Sequence, residues 1–203
     1  MRTALPDKGK DWDTLKGEME AFKSGDVDWK SGRLGVYVFH AGMDVMNVGK
    51  EAYQLYHTEN ALGRETAFPS LKRMETDVID MGLSLLHGPE GACGNMTSGG
   101  SESIFMAVKT CRDQAKSKGK DVVGAELVIP YSAHPAFDKA AGYLGLTVTR
   151  VALQENHLAD VQAMKAAVSD KTIMLVGSAP CYPYGLVDPI SDLGILAQDA
   201  GLW

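Results

Sequence analysis

Cysteine is scarce in this sequence of 203 residues: there are three, Cys93, Cys111 and Cys181, with no C-x-x-C spacing. An odd, unpatterned set excludes a disulfide framework and a zinc ribbon, and reads as reduced thiols in a cytoplasmic protein. No apolar run approaches the roughly 18 residues that suggest a bilayer span. Met1–Lys8 lacks the apolar core of a signal peptide. An excess of positive charge is also missing. Asp and Glu number 26 against 20 Lys and Arg, a net charge of −6, which argues against a nucleic-acid partner. G-x-G-x-x-G, Walker A, G-x-S-x-G and H-E-x-x-H are all absent, and the five histidines show no metal-ligand spacing. No metal site is therefore expected. Internal repeats and low-complexity tracts are absent too.

What is present is enough apolar material, 45% of residues, for a sizeable core. Residues 1–30 are polar around a helix predicted at Asp13–Phe22 and read as an extension lying over another surface. Val36–Phe39 is a short strand or extended loop. Helical spacing covers Met43–Tyr56, and again Leu71, Met74, Val78, Met81 and Leu85, with Ser70 as the N-cap and a stop at His87-Gly88-Pro89. From Ser101 onward helix and strand alternate. Helices are predicted at Ser101–Lys118, Ser132–Leu144, Asp160–Val168 and Ile190–Ala200. The strands between them are Glu126–Pro130, Leu146–Leu153 and Thr172–Gly177. This alternation implies an α/β fold with a mostly parallel central sheet. The element expected after the last helix is another strand.

In such sheets ligands gather at the carboxyl ends of the strands. Three segments fall there. Gly94–Ile104 runs Gly99-Gly100-Ser101-Glu102 into an amphipathic helix with Ser101 at the N-cap position. Its free first-turn amides describe an anion site, most simply for phosphate, although an ordinary capped helix has the same letters. Tyr131–Phe137 brings His134, either an acid/base or a flat ring for stacking, or else a residue bonded locally at a helix start. Ser178–Gly185 is a Pro- and Tyr-rich loop. Asp188-Pro189-Ile190 reads as a turn and helix start without chemistry.

Taken together, Thr97–Ile104, Ser132–Ala141, Gly177–Pro180 and Tyr182–Gly185 with Asp188-Pro189-Ile190 resemble the pyridoxal-phosphate-dependent group II decarboxylase family. Gly32-Arg33 and Phe68–Leu71 fit it as well. The similarity runs from about Leu5 to Trp203. It implies an incomplete type I aminotransferase-like fold and, for the complete protein, a homodimer. Residues 1–70 are then an N-terminal extension with a substrate-loop segment. Residues 71–203 are the first part of the large cofactor-binding domain. The resemblance also implies that Gly100 and Ser101 hold the phosphate of pyridoxal 5'-phosphate, that His134 stacks on its ring, and that Ser178 lies beside it. Asn60 falls in the family's substrate-phosphate segment, here Glu59-Asn60-Ala61-Leu62-Gly63, without the family's terminal histidine. Tyr184 stands where a histidine is usual.

The family's next strand carries an aspartate that pairs with the ring nitrogen, and a later lysine forms the Schiff base. Both are expected beyond Trp203, so the chain alone is expected to be inactive or nearly so. The resemblance implies a small amine substrate and carbon–carbon bond cleavage of phosphorylated sphingoid bases to a long-chain aldehyde and ethanolamine phosphate. Amino-acid decarboxylation is the alternative, and a non-catalytic or partner-dependent fragment is another.

Overall fold

The computed structural model describes residues 4–35 and 37–203. The chain divides into two compact units, Met1–Met74 and Glu75–Trp203. Helices carry the first. Helix α1 (Trp12–Phe22) starts at Asp11, whose carboxylate accepts from the Thr14 amide (2.9 Å) and hydroxyl (2.8 Å). This satisfies one of the orphan donors of a helix start. Helix α2 spans Met43–Tyr56, as its spacing predicts. Between them Tyr37–Phe39 forms no strand, and Val36 lies outside the described residues. Helix α3 (Pro69–Leu85) begins two residues earlier than a cap at Ser70 implies, which puts Ser70 inside the first turn. None of these three helices has a buried residue.

The second unit is built on a sheet. Strands β1 (Glu126–Pro130), β2 (Thr147–Val151) and β3 (Thr172–Leu175) lie in the order β2-β1-β3, all parallel. A bulge at Ile173 shifts the β1–β3 register: Glu126 pairs with Thr172, and Leu127 with Met174. The part of α3 from Glu75 onward and helices α4 (Gly100–Ser117), α5 (Ala136–Leu144), α6 (Val161–Ala167) and α7 (Ile190–Ala200) complete the unit.

Period-2 alternation in β1 divides the core into two layers. Leu127 and Ile129 pack with Val108, Cys111 and Ala115 of α4 and Ala140 and Ala141 of α5. Val128 packs on the other face with Met164 of α6 and Leu193 of α7. Each large side chain buried this way contributes about 1.5–3 kcal/mol. Cys111 is part of this core: its thiol donates to the Ile173 carbonyl (3.3 Å), and burial pushes its pKa up to about 11. Gly177 lets α7 approach, since a Cβ there would stand 2.7 Å from Leu193 Cδ1 and 2.9 Å from Ile190 Cδ1.

Several predicted ends move. Helix α4 starts at Gly100 with Gly99 at its cap, so Ser101 is a first-turn residue and not the N-cap. Helix α5 starts at Ala136 instead of Ser132, because Tyr131–Pro135 forms a tight turn closed by Ala133 N–H to the Pro130 carbonyl (3.0 Å). β2 is shorter at both ends, with Leu153 instead forming a single antiparallel bridge to Ala159. Trp203 bonds to the open edge of β3 in the parallel pattern: its N–H donates to Ile173 (3.1 Å) and its carbonyl accepts from Leu175 (2.7 Å). A strand is the element expected there.

Candidate functional site

The strand order creates a switch point. The chain leaves β1 toward α5 on one face and leaves β3 toward α7 on the other. Neighbouring parallel strands whose connections part in this way open a crevice at their carboxyl ends. The turn carrying His134 follows β1 and the loop carrying Ser178 follows β3, so both border this crevice. The first turn of α4 reaches the same rim. A cavity of about 330 Å3 separates it from the first turn of α5, lined by Ser101, Glu102 and Phe105 on one side and Lys139, Ala140 and Tyr143 on the other.

At the start of α4 no side chain caps the helix. Ser103 N–H takes the Gly99 carbonyl (3.1 Å), and the amides ahead of it are those that a helix leaves open. A Cβ on Gly99 or Gly100 would meet nothing within 4 Å, so the approach to these amides is clear. Glu102 turns back to accept from the Ser98 amide and hydroxyl, both at 2.6 Å. The Ser98 hydroxyl, then its amide, hold the Glu102 carboxyl below the ordinary range. Thr97 and Ser103 hydroxyls meet at 2.7 Å and brace the turn from the other side.

His134 is exposed on the rim and takes the Ala136 amide on Nδ1 (3.0 Å). An acceptor at Nδ1 leaves the proton of the neutral ring on Nε2. This is the local bond foreseen for a histidine at a helix start, and it orients the ring without using its faces. Tyr182 meets the ring edge-on, with centroids 6.4 Å apart at 71°, which joins the loops after β1 and β3.

Ser178 is held through its backbone. Its N–H donates to Asp188 Oδ2 (2.8 Å) and its carbonyl accepts from Asp188 N–H (2.9 Å). Asp188, 2% exposed, gives its other oxygen to the Ala159 amide (3.0 Å), so one carboxylate ties the loops after β2 and β3 together. Asn60 belongs to the first unit, where its Oδ1 accepts from Leu62 N–H (2.9 Å) and caps the short turn Ala61–Gly63.

No family model matches the sequence. Relatives do. Sphingosine-1-phosphate lyase of Oryza sativa is 40% identical over 206 residues, covering 98% of this chain and 38% of the rice protein. The chain is a homologue of sphingosine-1-phosphate lyases. The solved structure of such a lyase from Burkholderia pseudomallei superposes with a TM-score of 0.90 at 34% identity, covering all of this chain and 48% of that one. The expected partial α/β fold with its parallel sheet is the fold of that lyase. A probable L-aspartate decarboxylase of Pyrococcus furiosus is 34% identical over 200 residues, 98% of this chain and 51% of the archaeal protein. The chain thus spans between about a third and a half of the lyases and decarboxylases it resembles.

Three residues of this rim are not legible in the sequence. The Asp-Pro context of Asp188 signals only a turn and hides a buried acceptor for two amides. Tyr182 had no signal beyond an aromatic in a loop. Arg150 carried one: a charged residue in the strand Thr147-Val148-Thr149-Arg150-Val151, one position before the rim. No helix among the described residues is long and apolar enough to cross a membrane. Nor does any group of His, Cys, Asp and Glu among them suit a metal ion.

Proposed function

We infer that this chain carries the cofactor-holding rim of a pyridoxal-phosphate-dependent carbon–carbon lyase that cleaves phosphorylated sphingoid bases. The observation behind the reading is the convergence, at one switch point, of an uncapped helix N-terminus and an exposed, oriented histidine. The donor set fits the cofactor. The open amides and partial positive charge of the α4 start suit a phosphate dianion. The clear space over Gly99 and Gly100 admits it. The Ser132 hydroxyl, two residues before His134, is sealed from solvent without a partner, and such a group is a donor in search of a ligand or a water.

In this reading Gly100 and Ser101 bind the phosphate through their amides and the Ser101 hydroxyl. His134 offers a ring face, and its Nδ1 bond to Ala136 keeps that face from turning. Ser178, fixed by Asp188, borders the ring from the β3 side. When bound, pyridoxal phosphate supplies an electron sink for the bond-breaking pair beside the substrate amine. Asn60 presents its amide to the substrate phosphate while its carbonyl oxygen stays on Leu62. Residues 1–70 serve as extension and substrate-loop segment, and 71–203 as the opening part of the cofactor domain. The complete protein works as a homodimer on a small amine substrate in the cytoplasm, in keeping with the free thiols Cys93, Cys111 and Cys181.

Decarboxylation of an acidic amino acid is the second reading. The loop Glu59–Gly63 favours it by lacking the histidine that follows the asparagine in lyases, and the archaeal decarboxylase supports it. Titration of the chain with pyridoxal phosphate, followed by cofactor fluorescence and competed with inorganic phosphate, tests the shared claim. Saturable, phosphate-competed binding that Ser101→Asp abolishes is expected; binding indifferent to both would sink it. The two substrates are then separated on the complete enzyme by assaying long-chain aldehyde from sphingosine phosphate against carbon dioxide from aspartate.

A further inference from the structure

Arg150 plays no part in the contacts assigned above, yet its guanidinium gathers the main chain on both sides of His134. Nη1 donates to the carbonyls of Pro130 (3.4 Å), Tyr131 (2.9 Å) and Ala133 (3.2 Å), and Nη2 also reaches Ala133 (3.2 Å). Nε (3.2 Å to Oδ1) and Nη2 grip the Asp138 carboxylate in the first turn of α5. The Asp138 carboxyl is held below its ordinary range by this bond, against the opposing effect of burial. The carbonyls precede His134 in the chain and Asp138 follows it, so the tight turn is closed by one side chain reaching across from β2. The guanidinium's planar fork is what makes this possible: it spreads its donors over three carbonyls and a carboxylate at once. A lysine has the charge without the spread.

We propose that Arg150 is the positioning residue of this site, holding the Tyr131–Pro135 turn so that His134 keeps Nδ1 on the Ala136 amide and its ring beside Tyr182. The role rests on the reading of His134 as the residue that faces the cofactor ring. Arg150 touches no reacting atom; it sets the ring that does. Arg150→Lys keeps a cation beside Asp138 but empties the fan of carbonyl bonds, so it separates positioning from simple ion pairing.

Three measurements on the 203-residue chain decide the matter: the melting temperature, the 15N spectrum of the His134 imidazole, and affinity for pyridoxal phosphate by fluorescence titration. Arg150→Lys is expected to melt within about 4 °C of the parent, the scale of a roughly 1 kcal/mol change in a chain of this length. It is expected to lose the single Nδ1-acceptor signature of His134. Its affinity should fall about tenfold, the equivalent of one lost hydrogen bond to a charged group. A lysine variant with the parent's imidazole spectrum and affinity would overturn the proposal and leave Arg150 as an ion pair only. Arg150→Met serves as the harsher variant, and if it fails to fold the lysine variant still decides. If His134→Ala binds the cofactor as tightly as the parent, the ring-facing reading falls; the imidazole spectrum of Arg150→Lys then decides the positioning claim by itself.

Discussion

The two units treat their apolar residues in opposite ways. In the second, β1 sends Leu127 and Ile129 to one layer and Val128 to the other, and each meets helices that cover it. In the first, the stripes are equally regular but uncovered: Trp12 is 64% exposed, Val48 68% and Tyr53 73%. No described residue before Val108 is buried. An amphipathic pattern therefore records an apolar stripe, without saying whether anything in the same stretch of chain covers it. The candidate rim stands wholly in the unit that buries its own core, where side chains such as Asp188 and Arg150 can be held to a single arrangement.

The contrast is broken most sharply by truncating one buried and one exposed side chain. Met164→Ala, which empties a fully buried position between β1 and α6, should cost about 2–5 kcal/mol in denaturant unfolding. Val48→Ala on α2 should stay within about 0.5 kcal/mol. Similar losses at both would mean that the first unit is as well packed as the second. Next in size is Asp188→Ala. It leaves the Ser178 and Ala159 amides without their acceptor, at about 1–3 kcal/mol for each buried group orphaned. Faster hydrogen exchange at those two amides is the specific sign, and unchanged protection there would refute the brace.

A smaller effect is expected from Asp11→Ala, which removes the cap of α1. About 1 kcal/mol of helix stability goes with it. Because α1 buries nothing, the loss should appear as local fraying by NMR and leave the main unfolding transition in place.

The last effect is a pH dependence at the foot of the sheet. There Glu126 accepts hydroxyls from Thr149, from Thr172 (2.8 Å) and from Ser169 (2.9 Å). Burial pushes its carboxyl up, but the three hydroxyls together outweigh that and hold it below the ordinary glutamate value. A depressed folded-state pKa contributes stability that is complete above the unfolded value and lost as pH falls through the folded one. Acid titration of stability should therefore be flatter in Glu126→Gln than in the parent. An identical slope would remove Glu126 from the account.

Much of this architecture was legible. β1 and α7 have the predicted bounds because each is an apolar run closed by a proline or a glycine, signals that act locally. Helix starts were less legible. Ser101 has the chemistry of a cap, but two glycines before it let the helix begin a residue sooner, and the carboxylate of Glu102 secures Ser98 instead. At Ser132–Pro135 the helical spacing continued into a turn, since spacing cannot register a proline at the cap or an arginine from another strand holding the carbonyls. For the rim, Gly100, Ser101, His134 and Ser178 stood out by residue type and by their position after strands. Asp188, Tyr182 and Arg150 did not, because their roles exist only across 10 to 50 or so residues of intervening chain, where pairing is set by the fold.

The central claim is that the start of α4 and the turn after β1 form one anion- and ring-binding rim. The most direct test is a 15N–1H NMR titration of the chain with pyridoxal phosphate. The account predicts saturable shifts at the Gly99, Gly100 and Ser101 amides and at the His134 ring with one common dissociation constant, while the α1 and α2 amides stay still. Shifts at His134 without any at Gly99–Ser101, or two unrelated binding curves, would contradict it.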